Sequence, residues 1–323
     1  MIKTIGLLCS GGDSSGMNCV IRSVVRSAIS KGVRAFGIRR GFEGLIEGNI
    51  YEMNLSSVGN ILHHGGTTLQ TSRSEKFKTK EGRSLAIQQL KKNYIDALIV
   101  IGGNGSFKGA YTLGQEYDFP VIGIPGTIDN DIAGTDYTIG FDTAVQNAIN
   151  AVDKIRDTAS SHERTFIVEV MGRKSPAIAH HVGISTGAEN IIIPGSKIDY
   201  QKINNDIQRG ISRGKNSSII IVAESDTPGF SYEVKSTLKN NFQLDAHVCI
   251  LGHTQRGGGP THTDRFIGSQ MGFHSVDVIL SGKKSSAIIY TKGKVKDIDL
   301  IDCTQEKKEL KNKDLELLQI LAI

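Results

Sequence analysis

Three times in its first 131 residues the chain runs through a short apolar stretch, rich in β-branched residues, and breaks off into a glycine-led polar loop. Runs of this kind, bounded by turn residues, read as buried strands. Residues 2–9 lead into Ser10-Gly11-Gly12-Asp13-Ser14-Ser15-Gly16, and a helical pattern follows over 17–30, with Val20, Ile21, Val24, Val25 and Ile29 on one face. Residues 96–101 lead into Gly102–Ser106, with a helix expected from near Phe107. Residues 121–124 lead into Pro125-Gly126-Thr127-Ile128-Asp129-Asn130-Asp131. A strand, a glycine loop and a helix N-terminus together turn free N–H groups and the positive end of a helix dipole toward an anion. Three such units make a phosphoryl-binding α/β domain the economical reading, because open α/β sheets bind ligands off the carboxyl ends of their strands.

The third loop adds chemistry. One hydroxyl and two carboxylates, Thr127, Asp129 and Asp131, stand within five residues. Such a set can orient an alcohol, accept its proton and help hold a metal. An Asp/Asn turn is the plain alternative, and the repetition of the loop weighs against it. The glycine spacing fits neither the dinucleotide fingerprint nor a Walker loop, which disfavours a generic NAD-binding protein.

Composition narrows the class. Net charge is only +5 over 323 residues, with no polybasic run of the kind that tracks nucleic acid. No stretch approaches the roughly 18 apolar residues of a membrane span, and Lys3 and Gly6 interrupt any leader-like run. A cytoplasmic location is expected. Cys9 and Cys249 sit in apolar runs and read as buried thiols, while the adjacent His63 and His64 read as structural or exposed. The rest of the chain alternates strand patterns (33–38, 165–170, 188–194, 217–223, 247–251, 286–290) with helical ones (81–93, 142–156, 264–280, 306–321), and 41–45 reads as a loop. That alternation implies two doubly wound, Rossmann-like α/β domains. Their expected extents are 1–138 with about 252–303, and 139–251 with 304–323.

Taken together, the motifs are specific. Ser10-Gly-Gly-Asp-Ser-Ser-Gly-Met-Asn18, Gly102-Gly-Asn-Gly-Ser106, Pro125-Gly-Thr-Ile-Asp-Asn-Asp131, Gly134-Thr-Asp-Tyr-Thr-Ile-Gly-Phe141, Ser160-Ser-His-Glu-Arg164, Met171-Gly-Arg173 and Leu251-Gly-His-Thr-Gln-Arg-Gly-Gly258 follow one another in an order that resembles the bacterial-type 6-phosphofructokinases. The resemblance implies the phosphofructokinase fold, transfer of the ATP γ-phosphoryl group to O1 of fructose 6-phosphate with Mg²⁺, and a homotetramer. It implies Asp129 as the base, with Thr127 beside it and Arg173 in the catalytic set. Asp131 and the residue at 104 would serve the metal. Gly12, Arg73, Gly103, Asn104, Gly105 and Ser106 would hold ATP. Met171, Gly172, Arg173 and Glu224 would hold the sugar, and Arg164, His247, His253 and Arg256 its 6-phosphate, with Arg164 reaching in from a neighbouring subunit. An effector site for ADP or phosphoenolpyruvate would use Arg22, Arg26, Arg156, Gly187, Glu189, Arg213 and Lys215. Gly105 and Gly126 resemble the ATP-using rather than the pyrophosphate-using type, on the view that small residues leave room for a nucleotide.

Three positions depart from the family pattern. Asn104 stands where an aspartate is usual, Leu55 where an effector-site basic residue is usual, and His247 where an arginine is usual. They motivate one alternative, a regulatory paralogue with weak or no catalysis; His247 and the segment Lys174-Ser-Pro-Ala-Ile-Ala-His-His181, which also departs from the pattern, motivate another, a kinase of a different phosphosugar. Retention of Asp129, Thr127 and Arg173 argues for catalysis. Histidine ordinarily titrates near 6.5, whereas arginine stays charged at any working pH. Sugar-phosphate affinity is therefore expected to tighten as pH falls from about 8 to 6. A flat calorimetric profile across that range would remove His247 from the phosphate site.

Overall fold

A computed structural model describes residues 2–305 apart from 162, 163, 174 and 228, together with Leu317 and Ile320. The helix expected over 306–321 lies almost wholly outside the described residues. In chain order the elements are β1 (Thr4–Ser10), α1 (Met17–Ser30), β2 (Arg34–Ile38), α2 (Gly41–Glu47), β3 (Ile50–Met53), α3 (Lys80–Lys92), β4 (Ala97–Gly102), α4 (Asn104–Tyr117), β5 (Val121–Pro125) and α5 (Phe141–Ser161). There follow β6 (Thr165–Val170), α6 (Ala177–Thr186), β7 (Asn190–Ile192), α7 (Tyr200–Ser212), β8 (Ser218–Ala223), α8 (Phe230–Phe242), β9 (Ala246–Ile250), α9 (His262–Leu280), β10 (Ser285–Thr291), β11 (Lys294–Asp299) and α10 (Asp302–Gln305). The chain divides into two compact units, residues 1–143 with 256–308, and residues 144–255 with 309–323.

The first unit is built on a seven-stranded sheet in the order β11-β10-β5-β4-β1-β2-β3. Its five central strands pair in parallel. The two edge strands, β3 and β11, run antiparallel. Every residue of β1, β4 and β5 is buried, as a parallel sheet covered on both faces requires. Alternate side chains go to opposite faces. Ile5, Leu7 and Cys9 of β1 join Ile99 and Ile101 of β4 in a core shared with α1 and α9. Leu8 joins Leu98 and Val100 in a core shared with α2, α3 and α4. Each fully buried Leu or Ile contributes about 1.5–3 kcal/mol. The second unit carries a four-stranded parallel sheet, β7-β8-β6-β9. Ile167, Ile220 and Val222 pack there against Ile203 and Ile207 of α7 and Val234 and Leu238 of α8.

Strand direction places the loops. The chain steps from β1 to β2 on one side and returns to β4 on the other, so β1 and β4 flank a topological switch point, where such sheets bind ligands. In the second unit β6 is flanked by β8 and β9, so Met171–Arg173, Glu224 and the 251–256 turn follow the carboxyl ends of neighbouring strands.

Several sequence expectations change. The 41–45 stretch is not a loop but the start of α2, because Phe42, Leu45 and Ile46 are buried and Phe42 stacks on Phe77 at 3.8 Å. Two glycines hid that helix from a propensity reading. The helix expected from Phe107 begins at Asn104, with Gly103 as its N-cap. No helix was read over α6, α7 or α8. In α6, burial nearly all round erases the amphipathic period. In α7 the spacing of Ile203 and Ile207 and the Asp199 cap were legible signals. Cys9 is fully buried, which pushes its thiol up to about 12, whereas Cys249 is only half-buried.

Gly44 shows packing overriding propensity. A Cβ built there would sit 1.7 Å from the Arg39 carbonyl oxygen. Helix propensity favours Ala over Gly by about 1 kcal/mol, yet Gly44→Ala is expected to destabilise by about 1–3 kcal/mol, the usual cost of overpacking. A lowered thermal midpoint in calorimetry would show it.

Candidate active site

Two helix N-termini converge at the switch point of the first unit. Ser10, the last residue of β1, is in register with Gly102, the last residue of β4. Six residues separate the end of β1 from the start of α1, with Gly16 at its N-cap, and α4 starts directly behind Gly103. Each 14-residue helix directs unsatisfied N–H groups and a partial positive charge at these loops. The loop after β1 is tethered from several sides. Ser106 Oγ donates to the Ser10 carbonyl at 3.0 Å, Thr71 Oγ1 to the Gly11 carbonyl at 2.8 Å, and Ser14 Oγ to the Ile139 carbonyl at 2.8 Å. Arg73, exposed, follows two residues behind Thr71.

The loop after β5 lies beside the α4 start. Gly126 N–H donates to the Gly102 carbonyl at 3.0 Å, and a methyl on Gly103 would touch Thr127. Thr127 Oγ1 accepts the Asp129 N–H at 3.3 Å. Asn104 Nδ2 donates to Asp131 Oδ2 at 2.8 Å. Between the two aspartates, Asn130 takes a left-handed φ of 46° and is nearly buried, and its Oδ1 has no hydrogen-bond partner. Strained backbone and orphaned polar atoms gather where structure is held for function.

Arg256, expected on the sugar phosphate, also touches the loop after β1. Its guanidinium donates to the Asp13 carbonyl at 2.8 Å and lies against Gly12, in the first unit's phosphate loop. The backbone accounts for this, since Ser15 Oγ donates to the Arg256 and Gly258 carbonyls.

In the second unit the turn after β6 is strained. Gly172 has φ 141°, where a Cβ would meet the Ser175 carbonyl oxygen at 2.6 Å, and Arg173 has φ 48° with an exposed side chain. Glu224 follows β8, its N–H bonded to the Val170 carbonyl at 2.7 Å, and its shielded Oε2 has no hydrogen-bond partner. Leaving such an oxygen unpaired costs about 1–3 kcal/mol unless a ligand completes it. His253 is exposed on a short 3₁₀ turn, Gly252–Arg256. His247 lies on β9 with its ring 5.3 Å from that of Phe166, and Arg164 is exposed at the entry to β6.

The effector candidates of the second unit also come together. Arg156 donates to the Thr186 and Gly187 carbonyls at 2.5 and 3.5 Å. Glu189 is paired with Lys215 and accepts the Ile219 N–H, while Arg213 donates to the Arg209 carbonyl at 3.3 Å. Arg22 and Arg26 lie on α1 in the first unit, where Leu55 is half exposed.

A family model described as Phosphofructokinase matches residues 4–279. The chain belongs to the phosphofructokinase family. It is 49% identical over 322 residues to an ATP-dependent 6-phosphofructokinase of Clostridioides difficile, and 47% identical over 322 residues to one of Bacillus subtilis, each match covering 100% of both chains. Among solved structures it is similar to the phosphofructokinase of Saccharomyces cerevisiae, with 36% identity and a TM-score of 0.88 over 94% of this chain and 45% of that one. A pyrophosphate-dependent phosphofructokinase from Marinobacter aquaeolei shares the fold, with a TM-score of 0.84 at 19% identity, 99% of this chain and 92% of that one being covered.

Within this phosphofructokinase-family chain the two small residues play different parts. A Cβ on Gly105 would meet open space, consistent with room for a ligand. A Cβ on Gly126 would meet Ile101 at 2.8 Å and Met17 at 3.0 Å. Gly126 is therefore small because the core fills the space beside it, and the ligand-room argument fails there. Gln255 was quoted within a motif but given no role. It is 1% exposed, and its Oε1 accepts the Met171 N–H at 2.8 Å, so it orients the turn that bears Arg173. Only the tertiary contact reveals that.

For Mg²⁺, no group of three or more His, Cys, Asp or Glu side chains converges among the described residues. A nucleotide-borne Mg²⁺ needs no such cage, since it takes one or two carboxylates beside phosphate oxygens and water. Asp129 and Asp131 meet that demand. Asn104 adds no charge, and its NH₂ points at Asp131. Asn104→Asp would replace that donor with a second carboxylate, and two adjacent carboxylates attract a cation. Binding of Mn²⁺ to the nucleotide-free protein, followed by electron paramagnetic resonance, is expected to tighten by about tenfold, one ordinary carboxylate's worth of added charge. Unchanged binding would show that position 104 does not sense the metal.

Proposed function

We propose that the chain transfers the γ-phosphoryl group of ATP to O1 of fructose 6-phosphate, giving fructose 1,6-bisphosphate and ADP. The observation that carries this reading is the full-length identity of 49% and 47% to two ATP-dependent 6-phosphofructokinases. The arrangement of the first unit supports it. Phosphoryl transfer asks mainly for positioning and charge neutralisation, with one carboxylate near the attacking oxygen.

We assign Asp129 to accept the proton of the O1 hydroxyl, with the Thr127 hydroxyl ordering its loop. The loops around Gly12, Arg73 and Gly103 to Ser106 bind the nucleotide phosphates through N–H groups and helix dipoles. Ser106 contributes through its backbone, since its hydroxyl is spent on Ser10. Asp131 and Asp129 would hold Mg²⁺, which would neutralise phosphate charge when bound. Met171, Gly172 and Arg173 bind the sugar, with the unpaired Glu224 oxygen accepting one of its hydroxyls. His253, Arg256, His247 and Arg164 receive the 6-phosphate, Arg164 from a neighbouring copy in a homotetramer. An effector site for ADP or phosphoenolpyruvate would draw on Arg22, Arg26, Arg156, Gly187, Glu189, Arg213 and Lys215, and would bind weakly because Leu55 stands where a basic residue is usual.

One observation favours a second reading, a binding paralogue with weak catalysis: the Asn104 amide occupies one oxygen of Asp131. A coupled assay with purified protein decides. Turnover with ATP and fructose 6-phosphate, and none with pyrophosphate, is expected. Asp129→Ser is expected to lower kcat by about 10²–10⁴-fold, the usual contribution of a general base, with ligand affinities kept. Binding without turnover in the natural protein would favour the paralogue, and faster turnover on another sugar phosphate would change the acceptor.

A further inference from the structure

Asp264 is the one fully buried carboxylate of the described residues that the reaction above leaves without a task. It sits in the first turn of α9 and accepts only from donors. Oδ1 takes the Gly140 N–H at 2.6 Å and the Tyr137 hydroxyl at 3.3 Å. Oδ2 takes both the N–H and the hydroxyl of Thr143, the former at 2.9 Å. All four donors belong to residues 137–143, the stretch that follows the Asp129 loop and opens α5.

The other side of that stretch holds both reaction loops. Thr138 Oγ1 donates to the Thr127 carbonyl at 2.7 Å, and the Ile139 N–H donates to the Pro125 carbonyl at 2.8 Å. The Ile139 carbonyl accepts from Ser14, in the phosphate loop. Gly140, at φ 101°, approaches Ser14 so closely that a Cβ would lie 2.3 Å from the Ser14 Cβ. Residues 138–140 thus form a wedge touching the phosphate loop on one side and the Asp129 loop on the other, with Asp264 clamped behind it.

Keeping the clamp charged carries a cost. Burial pushes Asp264 up to about 6, against the hydrogen bonds from Thr143 and Gly140, and nearby Asp142 pushes the same way. A folded-state value above the unfolded one means that keeping this group charged costs stability as pH rises through 6. Tyr137, pushed far above its ordinary range by burial, stays protonated as a donor. Carboxylates held charged against a burial cost are characteristic of functional positions.

We propose that Asp264 is a positioning residue for phosphoryl transfer, fixing the distance between the phosphate loop and the Asp129 loop through the 138–140 wedge. The inference rests on the functional reading above. Only an acceptor fits, so Asp264→Asn introduces an N–H facing other donors and loosens the wedge. In the full-length protein, Asp264→Asn is expected to lower kcat at least tenfold at pH 8. Direct Kd values for fructose 6-phosphate are expected to stay within twofold, and the thermal midpoint within a few degrees. A double-mutant cycle with Thr138→Val, which cuts the other side of the wedge, is expected to be strongly non-additive in kcat. Should Asp264→Asn not fold, Thr143→Val takes its place in the cycle. Unchanged kcat per folded molecule, or additive losses, overturns the proposal. A natural protein that turns over no phosphosugar removes the functional reading instead, and a fully active Asp264→Asn removes this inference alone.

Discussion

The parallel pairing of β1 with β4 is the contact on which the rest depends. Ser10 opposite Gly102 brings two glycine loops, and the helices behind them, to one edge of one sheet. Separately, each helix N-terminus offers a modest field. Side by side at a switch point they can act on the same polyphosphate. The pairing is in turn held by the continuous burial of both strands, so the binding edge inherits the rigidity of the core. Gly102 and Gly126 show how tightly it is built, since a Cβ at either would collide with neighbouring atoms.

In both units the chain accepts local strain. Asn130, Arg173 and Gly172 hold positive φ values, Asn130 and Glu224 keep unpaired oxygens, and Asp264 is charged without exposure. None of these stabilises the fold, and each lies in or directly behind a loop assigned to the reaction. Asn104 belongs to the same edge. Its amide keeps the Asp131 side chain anchored while lowering the negative charge available there. In a site whose main work is charge neutralisation, that exchange bears on catalysis more than on folding.

Much of this was legible in one dimension. The apolar runs ending in Gly-Gly, Gly-Gly-Asn-Gly and Pro-Gly-Thr-Ile-Asp predicted the strand ends because a buried parallel strand leaves an unbroken apolar stretch and its loop must turn sharply. β6 lies at its expected residues for the same reason, and α1 at its own because its apolar residues recur at helical spacing. α2 was missed because its glycines are tolerated by packing rather than by propensity, and α6 because burial everywhere but the narrow stripe of His181 and Ser185 leaves little period to read. The motif assigns Arg256 to the sugar phosphate, and the fold adds that its guanidinium donates to the Asp13 carbonyl. The roles of Gln255 and Asp264 left no linear signal, since each acts on residues more than eighty positions away.

The amino-acid order alone determined the alternation of strand and helix, the three loops and the family, because these rest on local periodicity and on short motifs. Which loops meet, which glycine is small for a ligand and which for the core, and which buried acid braces the reacting loops were decided only by the folded chain. Those outcomes depend on side chains remote in sequence sharing one small volume, and period and spacing carry no record of that.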